Sequence, residues 1–451
     1  MPKVKFIDLF AGLGGIRLGF EKSFKELGFE TECVMTSEIK PYAVETLSSN
    51  FNHDYFVGDI FNVKNEQIPD FDFLLGGFPC QSFSAAGNRH GFAETRGTLF
   101  FEIERILRDK NPYGFILENV EGLVKHDLDN KHDKTGKTLA TILYKLKDEL
   151  GYNVTWKVLD SIDFGLPQSR KRIFIVGTKD ETANLNVSEK EFNPLKTILE
   201  SGLETINSDF TEKLFNHFEM EDLYGKSIKD KRGGNNNIHS WDIGIKGEVS
   251  DEQIILLNKL FKERRKKHWA EKIGIDWMDG MALTLKQIST FHKNENLKGL
   301  LDDLVKKGYL RFEHPKKLVK EQTENGEKKY RAYDETKPKG YNIVTGKLSF
   351  EINKILDPND IAPTLVATDV SRLAVPDNGG LRRLTIREGL RLFGYPEWYQ
   401  IPVKETEAFD LLGNTVAVPV VKHVADSLAE IYSRNFIEIE EAESVVISNI
   451  H

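Results

Sequence analysis

Phe6-Ile7-Asp8-Leu9-Phe10-Ala11-Gly12-Leu13-Gly14-Gly15 passes from a β-prone apolar run into a glycine-rich turn, and Ile16 to Leu27 continues with helical spacing. This predicts a strand (Val4 to Phe10), a tight turn and a helix. Glycines in such a turn let a ligand approach the backbone closely and leave the helix amino terminus open to negative groups. The G-x-G-x-x-G spacing of nicotinamide and flavin proteins is missing, which disfavours hydride chemistry. Working outward, Thr31 to Thr36 reads as a strand, Pro41 to Ser49 as a helix and Phe71 to Leu75 as a strand. Leu99 to Arg108 reads as a helix, Phe115 to Leu117 as a strand, Thr138 to Leu150 as a helix and Ile173 to Gly177 as a strand. Strand and helix taking turns predict an α/β fold with a mostly parallel sheet covered on both faces. Ligands of such sheets bind beyond the carboxyl ends of the strands.

The bulk numbers narrow the class. A chain of 451 residues has room for two or three domains, and 39% hydrophobic with 29% charged residues is an ordinary globular balance. No apolar run approaches the roughly 18 residues that span a bilayer. Met1-Pro2-Lys3-Val4-Lys5-Phe6 runs straight into a strand, so no leader and no membrane association are expected. Two cysteines, Cys33 and Cys80, make neither a disulfide framework nor a zinc site, and a reducing cytoplasmic location fits. Net charge is −8, yet residues 231–340 hold 24 Lys and Arg against 17 Asp and Glu. A basic middle in an acidic chain is either a phosphate-facing footprint or a solvated Lys/Glu surface; charge alone leaves both open.

Reactive residues cluster at predicted strand ends. Gly76-Gly77-Phe78-Pro79-Cys80-Gln81-Ser82-Phe83-Ser84 places a rare thiol on a loop stiffened by Pro79, with the glycine pair ending the preceding strand. A nucleophilic thiolate needs such a place, although free cysteine is often just a small buried hydrophobe. Glu38 follows the second strand, where a ribose-binding carboxylate belongs, and Asp59 of Gly58-Asp59-Ile60 follows a third strand-like run, within reach of an adenine amino group. Singly, each acid reads equally as a surface residue or a cap; as an ordered set they point to a nucleoside-bearing cofactor. Glu118-Asn119-Val120 puts a carboxylate at a strand end, where burial would raise its pKa, unless it is a plain turn residue. In Gln168-Ser169-Arg170-Lys171-Arg172, alternation puts Arg170 and Arg172 on one face, two guanidinium forks for carbonyl or phosphate oxygens, or else a solvated basic edge.

The ordered set Asp8-Leu9-Phe10-Ala11-Gly12-x-Gly14-Gly15, Pro79-Cys80-Gln81-Ser82, Glu118-Asn119-Val120, Gln168-x-Arg170-x-Arg172, Arg387-Glu388 and Gly413-Asn414-Thr415 closely resembles the DNA (cytosine-5)-methyltransferases. The likeness covers roughly residues 5–177 and 361–432. It implies a Rossmann-like S-adenosylmethionine-dependent methyltransferase domain with a second, smaller target-recognition domain. Cys80 would attack carbon 6 of a cytosine flipped out of duplex DNA, and Glu118 would protonate or hydrogen-bond ring nitrogen 3. Arg172 would bind the cytosine carbonyl, with Arg170 holding the site or a phosphate. S-adenosyl-L-methionine would lie against Phe10, Gly12, Leu13, Gly14 and Gly15, with Glu38 on its ribose and Asp59 and Ile60 beside its adenine. Pro79, Leu99, Asn414 and Thr415 would complete the pocket. Ile39 stands where many relatives place an aromatic against the adenine. The stretch Ser82 to Arg96 resembles the mobile catalytic loop of the family.

The expected division is 1–184 for the first part of the catalytic domain, 185–405 for target recognition, 406–435 for the return of the chain and 436–451 for a tail. Within the second part, residues 281–331 resemble a winged-helix element, with a plain helical hairpin as the alternative. Arg264, Arg265, Lys266 and Lys267 are candidate phosphate contacts. Arg382 to Leu392 is expected to be a helix bracing the two domains, and the helix opened by Gly413 is expected to run from Val416 to Tyr432 and pack beside the first glycine turn. The resemblance implies a monomer, paired in function with a restriction endonuclease without a stable complex. Transfer RNA methylation and a catalytically silent DNA-binding regulator are the rival readings. The intact Cys80, Glu118 and Arg172 set opposes the regulator; the long insert opposes transfer RNA.

Overall fold

The computed structural model describes residues 2–448 except 53–54, 79–98, 129–132, 188–191, 231–235, 324–325, 346–349 and 368–369. It divides into two compact units: Met1–Glu200 with Asp357–Ser371 and Leu384–His451, and Ser201–Leu356 with Arg372–Arg383.

The first unit is built on a sheet of β1 (Lys3–Leu9), β2 (Glu30–Ser37), β3 (Phe56–Val57), β4 (Phe73–Gly77), β5 (Gly114–Val120), β6 (Asn153–Asp160) and β7 (Lys171–Thr178), in the order β3-β2-β1-β4-β5-β7-β6. Neighbours from β3 to β5 are parallel, and β7 enters antiparallel to both β5 and β6. Alternation sorts side chains between the two faces. Val4, Phe6, Phe73, Leu75, Ile116, Phe174 and Val176 pack with Phe20 and Phe24 of α1 (Gly15–Glu26) and with Val420, Val421 and Leu428 of the helix Val418–Ser448. Ile7, Leu9, Leu74, Phe115, Leu117 and Ile175 face the other way, onto Ile103, Ile106 and Leu107 of Leu99–Lys110 and Leu139 and Ile142 of Lys137–Tyr144. Burying each such side chain contributes roughly 1.5–3 kcal/mol, so the strands are held from both sides.

Several boundaries differ from the sequence reading, each for a local reason. Gly76 and Gly77 are the last two residues of β4, which does not stop at Leu75, because the ladder to β5 continues through them to Leu117 and Glu118. Arg382 and Arg383 lie in a strand, Gly380–Arg383, and the helix starts only at Ile386 behind a capping box of Thr385 and Glu388. Gly413 and Asn414 close a helix, Glu405–Asn414, and the next begins at Val418. The strand β6, passed over in the sequence, is a half-buried edge strand without an apolar run.

The second unit holds a five-stranded sheet and, from Ser250 on, a helical cluster. Helices Asp251–Glu263 and Lys267–Ile273 precede Leu283, which bridges Tyr341. Helices Leu285–Ile288 and Leu297–Lys306 follow, then strand Leu310–Glu313, a hairpin of Lys316–Thr323 and Gly326–Tyr333, and strand Gly340–Ile343 paired antiparallel to Leu310–Glu313. Its core is Trp241, Leu256, Leu260, Trp269, Leu301, Leu304 and Tyr341.

Candidate active site

The glycine turn is shaped by its backbone. Phe10, Gly12 and Gly14 all have positive φ, at 58°, 54° and 65°. For Phe10 this is an uncommon conformation for an L side chain, sustained by the packing around it. At Gly14 a Cβ would also fall 2.6 Å from the Phe51 ring, so a side chain there meets both strain and a clash. No side chain caps α1 and no acid lies in its first turn, which keeps its amino terminus suited to anionic groups.

Glu38 is tied to this turn. One carboxylate oxygen accepts Gly12 N at 2.9 Å, and the other accepts Ile39 N at 2.8 Å and Lys40 N at 2.9 Å. The acid thus holds the turn against the start of helix Pro41–Asn50. Asp59 caps the short turn Ile60–Asn62 through Phe61 N, and Ile60 is buried in the core. Ile39 is 70% exposed beside Glu38. Leu13 is buried and its carbonyl accepts the Tyr399 hydroxyl at 2.6 Å. Thr415 Oγ1 and the Tyr395 hydroxyl lie 2.6 Å apart, and a Cβ on Gly15 would collide with the Tyr395 hydroxyl. Asn414 donates to Asp410, which also accepts Lys40 Nζ at 2.6 Å and Tyr42 Oη at 2.7 Å. Gly12, Glu38 and Asn414, distant in sequence, are thereby joined through Lys40 and Asp410. Leu99 opens its helix half-buried.

The carboxyl ends of β4, β5 and the start of β7 carry the other group. Arg172 Nε stands 2.9 Å from Glu118 Oε1, and a Cβ on Gly77 would lie 3.4 Å from Glu118 Oε2. Burial pushes the Glu118 carboxyl up from its ordinary value, and the opposing pull of Arg172 and Arg170 does not overcome it. Asn119 Nδ2 donates to Phe78 O at 2.7 Å, fixing the backbone at the edge of the Pro79-Cys80 loop. Cys80, Pro79 and the stretch Ser82 to Arg96 lie outside the described residues.

Arg170 is placed differently from Arg172. It is 2% exposed, and its guanidinium donates to Leu365 O at 2.9 Å and Gly413 O at 3.1 Å. Gln168, fully buried, donates to Leu392 O and accepts Leu365 N. Asp160 receives the Arg170 amide and the Ser169 hydroxyl. The sequence reading missed Tyr395, Tyr399, Asp410 and the structural use of Gln168. Of these only Gln168 sat in a motif marked by its chemistry, and nothing local pointed to the partners of the others.

Among the described residues, no group of His, Cys, Asp and Glu is placed to hold a metal ion. No described helix is long and apolar enough to cross a membrane.

The family model for C-5 cytosine-specific DNA methylases matches residues 4–430. The chain is 57% identical over 428 residues to the Type II methyltransferase M.NlaIV of Neisseria lactamica, covering 95% of this chain and 99% of that protein. It is 41% identical over 452 residues to the Type II methyltransferase M.BanI of Aneurinibacillus aneurinilyticus, covering 94% of this chain and 96% of that one. Among solved structures, the Entamoeba histolytica methyltransferase EhMeth is similar in fold, with a TM-score of 0.51, 15% identity, and coverage of 96% and 99% of the two chains.

Proposed function

The chain belongs to the C-5 cytosine-specific DNA methylases, and from that premise we propose a covalent, base-flipping mechanism for its methylation of DNA cytosine. The observation that carries this is the Glu118–Arg172 pair, a partly buried acid and a guanidinium fork beside the end of β4, the strand that leads into Cys80.

S-adenosyl-L-methionine, when bound, supplies an electrophilic methyl group. The residues present fit it: the open α1 amino terminus, the Gly12–Glu38 contact, Asp59 and the Asn414-Thr415 segment would hold its charged and ribose ends. On the substrate side, the Cys80 thiolate adds to carbon 6 of the ring. Glu118, whose carboxyl is pushed up from its ordinary value by burial, hydrogen-bonds or protonates nitrogen 3, so that electron density collects at carbon 5. Arg172 holds the ring carbonyl and orients Glu118. After methylation, loss of the carbon-5 proton expels Cys80 and restores the aromatic ring. Attack on carbon 6 requires the base outside the stacked duplex. Arg170, bound to main-chain carbonyls, serves this site as a positioning residue. The type II relatives support host protection beside a companion restriction endonuclease as the biological role.

The test uses duplex DNA with 5-fluorocytosine at the target, whose fluorine cannot leave as a cation. With cofactor present the wild-type enzyme is expected to remain covalently attached, and Cys80→Ser to form no adduct and no product. Sustained methyl transfer by Cys80→Ser would overturn the mechanism.

A further inference from the structure

From 251 to 343 two helices, the bridging residue Leu283, two further helices, a strand, a hairpin and a strand follow one another, and from the second helix on this is the order of a winged helix, with Leu283 bridging Gly340–Ile343 and that strand pairing with Leu310–Glu313. Such folds often present their second core helix to DNA. Here that helix, Leu297–Lys306, is poorly suited to the task. Leu297, Leu301 and Leu304 are spent on the core. On the outer side Asp302 and Asp303 are fixed, Asp302 by Lys298 at 2.5 Å and Tyr341 Oη at 2.8 Å, Asp303 by Lys307 at 2.6 Å and Gln253 Nε2 at 2.8 Å. Lys298 and Lys307 are thus neutralised locally, and both carboxylates would face phosphates.

The hairpin is the opposite case. Residues 316–333 include Lys316, Lys317, Lys320, Lys328, Lys329 and Arg331 against Glu321, Glu324 and Glu327. Its strands pair only with each other among the described strands. The register sorts charge by face: Lys316 pairs with Tyr333, Leu318 with Arg331 and Lys320 with Lys329, while Glu321 meets Lys328 on the other face. Lys320, Lys328 and Lys329 are exposed. The base of the hairpin is anchored: Arg331 donates to Trp277 O at 3.0 Å, Tyr333 Oη to Glu313 at 2.8 Å, and Lys317 pairs with Asp334 at 3.5 Å.

We propose that this winged helix grips the phosphate backbone of duplex DNA through the basic face of its hairpin, chiefly through Lys320 and Lys329, and not through helix Leu297–Lys306. The inference rests on the reading of the enzyme as acting on duplex DNA.

The experiment compares the full-length enzyme with a Lys320→Ser/Lys329→Ser variant and a Lys298→Ser/Lys306→Ser variant. Duplex affinity is measured against salt, on DNA with and without the target sequence. Every phosphate left without its lysine makes the log–log slope shallower by about 0.9, so the hairpin variant should lose about 2 in slope and bind both DNAs about 10-fold more weakly at low salt. Its cofactor affinity and thermal midpoint should match the wild type, and the helix variant should keep the wild-type slope. An unchanged slope in the hairpin variant, or a loss confined to the helix variant, would overturn the proposal. If the wild type itself neither bound nor methylated duplex DNA, the underlying reading would fall instead.

Discussion

Arg172 reaches Glu118 diagonally across an antiparallel pair: Nε and Oε1 are 2.9 Å apart, although the ladder pairs Glu118 with Phe174 and Arg172 with Val120. Diagonal neighbours on one face of a sheet lie within reach of long side chains. The arginine thereby works against burial, which pushes the carboxyl up.

Replacing Arg172 by Gln removes the main influence pulling Glu118 down, so its pKa should rise further. With the protonated acid as the working form, activity falls as pH rises through this pKa. The Arg172→Gln enzyme should therefore keep its activity to higher pH while its maximal rate drops about 10²-fold. Single-turnover methyl transfer from about pH 5 to 9 reads both effects. An alkaline limb at the wild-type position would show that the pair does not titrate together.

Arg170→Ala should act on the frame of the site. It leaves Leu365 O and Gly413 O buried without their donor, at a cost of about 1–3 kcal/mol each. Because Gly413 leads into Asn414 and Thr415, KM for the cofactor should rise more than kcat falls. Arg170→Lys should rescue little, since an ammonium cannot span both carbonyls as a guanidinium fork does. A loss in kcat alone, with stability and KM unchanged, would contradict the positioning role.

Asp8 is buried at the end of β1 and neither carboxylate oxygen has a hydrogen-bond partner. Burial pushes it up to about 7 from 3.8, against the pull of Arg17, with Glu38 and Glu21 adding to the rise. The folded state therefore holds this proton where the unfolded chain has released it. The associated stability is fully present below the unfolded value and is lost as pH rises through the folded one. The loss should be on the order of 2–4 kcal/mol. Asp8→Asn should flatten it, making the variant more stable than wild type at alkaline pH but not in acid. Urea unfolding on both sides of the window measures this; parallel curves for the two proteins would refute it.

Much of the catalytic half was legible locally. The turn of Phe10 to Gly15 and the strands and helices beside it depend on period and turn chemistry, which act over a few residues. Glu38 and Glu118 could be singled out because they follow strands. Where reading faltered, the deciding contact was remote. Arg382 and Arg383 have helical spacing yet pair with Val375 and Ala374 in a strand. Residues 185–200, 357–371 and 384–405 are read from the sequence as part of the recognition region, yet they fold with the first unit. Gln168 and Arg170 bind Leu365, and Tyr399 binds Leu13, across hundreds of residues.

By itself, the amino-acid sequence determined the order of chemical motifs, the glycine turn and the family, because these rest on residue type and short spacing. Only the tertiary structure decided that Arg172 faces Glu118 while Arg170 turns to main-chain carbonyls, since the antiparallel entry of β7 sets that register. Strand pairing likewise decided which lysines of the 316–333 hairpin share a face. Register is a relation between distant segments, set by the packing of whole faces, and no single stretch of the chain contains it.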